Sequence, residues 1–177
     1  MPTPTLTTCG VCGLFCEACP LYIGSTDAPT LLESFSKRSG KSLEEATCHG
    51  CRSDVLSWHC KTCGLKACAA QKGIAFCGDC PEFPCADFRR FADGDLKDPL
   101  IAGKRPHRLE VMADCQAIKQ QGWQAWFVDK RADYSCAACG TTNSAYNLKC
   151  RKCGHAPGNA FVGRNQADIR QYLTNGK

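Results

Sequence analysis

The sequence predicts a small, metal-stabilised fold of α+β or irregular type, on three observations. Seventeen of the 177 residues are cysteine. Fourteen of them fall in seven C-x2-C pairs: Cys9/Cys12, Cys16/Cys19, Cys48/Cys51, Cys60/Cys63, Cys77/Cys80, Cys136/Cys139 and Cys150/Cys153. Glycine and proline interrupt nearly every apolar run in the first half, so ordinary packing there has little area to bury. Two thiolates two residues apart sit on one backbone turn and aim at one tetrahedral ion, and two such turns complete a site.

Cysteine at this density also suits a disulfide scaffold in a secreted chain, so compartment decides. Met1 to Thr8 has no basic start and no apolar core of a signal peptide, and no run reaches the roughly 18 apolar residues of a membrane span. The expectation is a cytoplasmic protein with no membrane association, where C-x2-C pairs hold metal. Cys115 stands alone and is expected to be an inert, packed thiol. The remaining sixteen cysteines, with Cys68 and Cys85 added to the seven pairs, make four tetrahedral sites and about four zinc ions per chain. His49 and His59 lie beside Cys48 and Cys60 as possible substitutes in one site, whereas His107 and His155 read as solvated.

Residues 1–90 read as a multi-zinc module with one helix of note, starting near Asp27-Ala28-Pro29, presenting Leu31, Leu32 and Phe35, and stopping at Ser39-Gly40. Structural zinc contributes about 10–16 kcal/mol per site in small peptides, enough to replace a missing core. The pairing of knuckles stays open. Consecutive grouping gives 9/12/16/19, 48/51/60/63 and 68/77/80/85. Interleaving joins Cys16/Cys19 with Cys48/Cys51, Cys60/Cys63 with Cys77/Cys80, and Cys9/Cys12 with Cys68/Cys85.

Residues 91–133 read as a helical connector. Leu109, Met112, Ala113 and Ile118 approximate one stripe, Gly122 interrupts it, and Trp123, Trp126 and Phe127 resume it as core. Residues 134–158 read as a zinc-ribbon-like finger, since Cys136-x2-Cys139 and Cys150-x2-Cys153 are ten residues apart, a span that a short hairpin closes around one ion. Residues 159–177 read as a tail in which Asn165 caps a short helix carrying Ile169, Tyr172 and Leu173.

The formal charge of +5 lies wholly in residues 136–177, where Lys149, Arg151, Lys152, Arg164, Arg170 and Lys177 face Asp168 alone. Four thiolates around a dication carry two net negative charges, so four filled sites lower the total to about −3 while the finger and tail keep about +3. Attraction to phosphate is therefore an argument about the finger alone.

The N-terminal motifs resemble a prokaryotic cysteine-rich domain of unknown function. They are CGLFCEACP from Cys12 to Pro20, CHGC from Cys48 to Cys51, CKTCGLKAC from Cys60 to Cys68, Lys72-Gly73, and CGDCPEFPC from Cys77 to Cys85. The resemblance implies a multi-metal, zinc-binding module and carries no activity. Cys9 is an addition to that pattern, either a ligand or a spare thiol. The finger resembles the Ran-binding-protein type through Tyr134, Cys136, Cys139, Asn143, Cys150 and Cys153, with Tyr134 where tryptophan is usual. Members of that family bind single-stranded RNA or ubiquitin. Gly140-Thr141 replaces the Thr-Phe pair of the ubiquitin binders, and Ser144 and Tyr146-Asn147 replace the aromatic and arginine pair of the RNA binders. Tyr146 remains as a base-stacking candidate, with Lys149, Arg151 and Lys152 near the backbone.

No HExxH helix, GxSxG elbow or phosphate-cradling loop occurs, so no catalytic residue is assigned. The expected function is a non-enzymatic interaction module with a protein partner of unknown identity, RNA being possible through the finger, and the sequence leaves the oligomeric state open. The alternative is an iron–sulfur electron-transfer protein, because Cys9-x2-Cys12-x3-Cys16-x2-Cys19-Pro20 approaches a cluster-binding run.

Overall fold

The computed structural model describes residues 3–94 and 105–175. The middle of the expected connector, 95–104, and the last tail residue, Lys177, lie outside these. The described residues are mostly helical, with 3-10 turns and no strand. Two isolated bridges, Cys9 with Phe15 and Ser135 with Thr142, are the β-type pairings among them. The α+β element of the expectation thus shrinks to single bridges. In the finger, Cys136 N–H donates to Thr141 O at 2.9 Å and Asn143 N–H to Tyr134 O at 2.8 Å, after which the knuckle turns claim the backbone.

Residues 3–94 carry more helix than the one segment expected. Helices α1 (Pro20–Thr26) and α2 (Pro29–Ser39) each begin on a proline, whose fixed φ suits a first helical turn. Leu32 is buried with Leu31 and Phe35 half-buried beside it, and Gly40, at φ 66°, ends α2. Gly24 lets the two helices meet, because a Cβ there would stand 2.9 Å from the Leu32 backbone nitrogen. Helix α3 (Leu43–Ala46) carries a complete capping box between Ser42 and Glu45. Helices α4 (Trp58–Lys61), α5 (Gly64–Gln71) and α6 (Ala86–Asp93) follow, with Cys63 and Cys85 as the residues that precede α5 and α6.

Beyond residue 104, α7 (Val111–Gln121) and α8 (Trp123–Tyr134) flank Gly122 at φ 85°, as the periodicity predicts. The buried stripe of α7 differs from the expected one: Val111, Asp114, Cys115 and Ile118 are buried, Met112 is half-buried and Ala113 exposed. The shift has an electrostatic cause. Lys130 of α8, itself buried, places Nζ 2.7 Å from Asp114 and 2.8 Å from Glu110, and the Trp126 indole N–H donates to Asp114 at 3.0 Å. Burial pushes the Asp114 carboxyl up to about 6 against the pull of Lys130. A paired, hydrogen-bonded charge can face inward where an unpaired one cannot.

Helices α9 (Ala160–Arg164) and α10 (Gln166–Asn175) close the chain. Asn159 caps α9 by accepting from Val162 N–H at 2.8 Å. Asn165 stands immediately before α10, where its O accepts from Ile169 N–H at 3.1 Å, and its side-chain amide donates to Glu110 and to Phe161 O, which ties the tail to α7.

One apolar core draws on all four expected segments: Phe15 and Phe76, then Trp126 and Phe127, then Tyr134 and Ala145, then Phe161, Val162 and Ile169. Phe15 packs edge-on to Phe127 at 5.1 Å and Trp126 at 6.2 Å, and stacks on Tyr134 at 5.7 Å. Tyr134 stacks in turn on Phe161 at 4.9 Å. An ion pair, Arg131 to Glu17 at 2.9 and 3.1 Å, adds a second tie between α8 and the first cysteines. A second core around Phe88, Val111 and Cys115 lies behind the later N-terminal cysteines. Cys115 is fully buried there and burial raises its thiol, the packed, inert state expected.

Candidate metal centre and the N-terminal cysteines

The finger starts where α8 ends. Tyr134, the last residue of α8, is anchored in the core, and the chain turns through Cys136-Ala-Ala-Cys139-Gly140 and, ten residues on, Cys150-Arg-Lys-Cys153-Gly154. Each turn closes the same way: Gly140 N–H donates to Cys136 O at 2.8 Å and Gly154 N–H to Cys150 O at 3.0 Å. Both glycines have positive φ, 71° and 76°, with open space where a Cβ would be, so conformation and not crowding requires glycine.

Asn143, fully buried, clamps the two turns together. Its side-chain amide donates to Thr141 O at 2.8 Å, Gly158 O at 3.1 Å and Cys150 Sγ at 3.5 Å, and its Oδ1 accepts from Arg151 N–H at 2.9 Å. A second clamp was not legible in the sequence: Asn159 donates to Asn143 O and Ser144 O while capping α9, so finger and tail share one hydrogen-bond network. Only its cap position before Ala160 could have signalled it.

All four sulfurs, Cys136, Cys139, Cys150 and Cys153, lie within 4.8 Å of one another. Cys136 to Cys153 measures 3.7 Å and Cys139 to Cys150 measures 3.6 Å. Zinc–sulfur bonds of about 2.3 Å at tetrahedral angles put sulfurs about 3.8 Å apart, so the donor set fits one thiolate-bound ion. A disulfide, with sulfurs about 2.05 Å apart, does not fit. Burial of Cys150 is outweighed by the N–H groups of Cys153 and Lys152 and by Asn143 and Cys139, which bring its thiol down to about 5. At Cys153 the His155 N–H favours the thiolate, but Cys139, burial and the other cysteines push the thiol up to about 12. Four sulfurs this close repel as thiolates unless a cation sits between them.

The N-terminal cysteines gather less tightly. Among the described residues, the finger is the one group of three or more potential ligands whose donor atoms all lie within 4.8 Å. Cys48 is buried in a small cluster with Leu21, Leu32 and Ala46, against which Cys19 and Trp58 pack. Cys12 is buried in a cluster with Cys77 and Cys115, against which Cys51, Cys63 and Cys85 pack, and Cys9 Sγ lies 3.5 Å from Thr5 O. Cys63, Cys68, Cys77, Cys80 and Cys85 line one cavity of about 810 Å³. The structure therefore packs Cys19 in one cluster with Cys48, and Cys12 and Cys77 in another with Cys51, Cys63 and Cys85. His49 is exposed, and His59, its ring tilted against Trp58 at 4.3 Å, lines the cavity.

The proposed nucleic-acid contacts divide. Tyr146 is half-buried, packs against the first core and Tyr172, and its hydroxyl lies 2.5 Å from His107 Nδ1, so the ring is not an open stacking platform. His107, expected to be solvated, is half-buried in this contact, and burial lowers its imidazole to about 3. Arg151 pairs with Asp27 of the N-terminal half and donates to Thr142 O at 3.0 Å. Lys149 and Lys152 are exposed.

Residues 8–90 match the family model described as "Protein of unknown function (DUF3795)". This chain is similar to that family from Cys9 to Cys85, the stretch that carries the twelve N-terminal candidate ligands. No curated protein and no solved structure matches the chain. No described helix is long and apolar enough to cross a membrane.

Proposed function

We propose that this chain is a non-enzymatic zinc protein, an adaptor whose thiolate centres hold a surface that engages a protein partner. The metal ligands are Cys9, Cys12, Cys16, Cys19, Cys48, Cys51, Cys60, Cys63, Cys68, Cys77, Cys80 and Cys85 in the N-terminal module, and Cys136, Cys139, Cys150 and Cys153 in a Ran-binding-type finger. The observation that carries this reading is the sulfur spacing of 3.6 and 3.7 Å in the finger. A four-thiolate site has no open coordination position for water or substrate, which supports a structural ion. The packed Tyr146 and the Arg151–Asp27 pair weigh against base stacking and phosphate contact by these two residues.

A second reading, an iron–sulfur cluster in the N-terminal module, is favoured by the five cysteines around one open cavity. Lys72, Arg90, Arg105 and Arg108 also line it, and they would offset the negative charge of a thiolate-ligated cluster. Elemental analysis of protein purified without oxygen separates the two. Zinc near four per chain in a colourless solution is the expected result. Iron with acid-labile sulfide in a brown solution would replace the first reading by the second.

A further inference from the structure

We propose that the finger is a peroxide-sensitive zinc site: oxidation closes its four sulfurs into the disulfides Cys139–Cys150 and Cys136–Cys153 and expels the ion, while the N-terminal cysteines stay reduced. This rests on the thiolate–zinc reading of the finger above and adds its regulation.

A peroxide must reach a sulfur before it oxidises it, and access differs between the two groups of cysteines. Three of the seventeen cysteines are exposed: Cys68, Cys139 and Cys153. The finger thus offers two exposed positions among its four candidate ligands, against one among the twelve of the N-terminal module. Charge favours the finger too. Reactive cysteines sit in electropositive, partly exposed surroundings, and the exposed Lys149 and Lys152 directly precede Cys150 and Cys153 in the chain.

Each exposed cysteine faces a buried one on the other knuckle. Cys139 Sγ lies 3.6 Å from Cys150 Sγ, and Cys153 Sγ lies 3.7 Å from Cys136 Sγ. Closing either pair to a disulfide takes an approach of about 1.6 Å, within reach of side-chain rotation. The exposed thiolate attacks one peroxide oxygen, the O–O bond breaks, and a sulfenic acid forms as hydroxide leaves. The buried partner thiolate then attacks that sulfur, forms the S–S bond and displaces a second hydroxide. For each disulfide, two thiolates lose two electrons and one peroxide gains them. Thiolate is the metal-binding form of cysteine, so the ion leaves.

Two consequences follow for the surface and the tail. Four thiolates around a dication carry two net negative charges and two disulfides carry none, so residues 136–177 pass from about +3 to about +5. The finger becomes more basic as its ion leaves. Asn143 loses the thiolate that its side-chain amide approaches at 3.5 Å, and its backbone O accepts from Asn159, the cap of α9. These hydrogen bonds link the sulfur chemistry to the tail.

The test titrates the full, zinc-loaded, reduced chain with hydrogen peroxide in the presence of a chromogenic zinc chelator. Elemental analysis before the oxidant counts the ions, and alkylation with peptide mass spectrometry after it locates the disulfides. The first ion per chain should leave at about 10-fold lower peroxide concentration than the others. The bonds mapped at that point should be Cys139–Cys150 and Cys136–Cys153, and a dithiol reductant with added zinc should reverse both changes. Cys150→Ala should lack this early release and keep the later ones. If that variant does not fold, the disulfide map of the parent protein decides. First disulfides among residues 9–85, or a bond within one knuckle of the finger, overturn the proposal. A finger that holds no zinc before oxidant is added refutes the proposed function as well, whereas a zinc-filled finger that outlasts the N-terminal sites refutes this proposal alone.

Discussion

Removing metal from the reduced chain with a strong chelator is expected to abolish cooperative unfolding, flatten the near-ultraviolet circular dichroism and shift tryptophan emission to the red. The magnitude follows from comparison. A structural zinc site contributes about 10–16 kcal/mol in small peptides, and a whole domain is stable by about 5–15 kcal/mol, so loss of one site consumes the margin. The route from site to core is specific. The finger turns place Asn143, Asn143 and Ser144 hold Asn159, and Asn159 caps the helix that delivers Phe161 and Val162 to the shared core. Trp126, 1% exposed in that core, reports its loss. Added zinc should restore all three signals. Persistence of a compact, cooperatively unfolding chain after complete removal of metal would refute the premise.

Phe15→Ala is expected to destabilise the zinc-saturated protein by about 3–5 kcal/mol, read from denaturant midpoints, the usual cost of deleting a buried phenylalanine. Phe15 lies between Cys12 and Cys16 and touches Trp126, Phe127 and Tyr134. It therefore joins the first cysteines to α8 and, through Tyr134, to the finger. A loss below about 1 kcal/mol would mean that the halves do not share this core.

The elements legible in the sequence are those encoded locally. The knuckles of the finger announce themselves through C-x2-C-G, helix α2 through Pro29 and Gly40, and the α7–α8 pair through Gly122 and its flanking aromatics. Asn143 was legible through the resemblance of the finger to the Ran-binding-protein pattern. The rest depends on partners far away in the chain. Helices α1, α3, α4, α5 and α6 are four to eight residues long, too short for periodicity to emerge, and they are fixed by Pro20, by the Ser42–Glu45 box and by the cysteines that precede them. The inward turn of Asp114 needs Lys130, and the packing role of Tyr146 needs His107 and Tyr172. The apolar residues of 1–90 looked too few for one core; they divide between a cluster of their own around Leu21, Leu32 and Ala46 and two clusters shared with the second half of the chain. Knuckle pairing was illegible because C-x2-C spacing specifies a local turn and carries no information about which distant pair shares its ion.

X-ray absorption at the zinc edge of the anaerobically purified, full-length protein tests the central claim most directly. The account predicts a first shell of four sulfurs at about 2.3 Å with no light-atom ligand. A shell containing oxygen or nitrogen, or an absence of zinc together with disulfides joining Cys136, Cys139, Cys150 and Cys153, would contradict it.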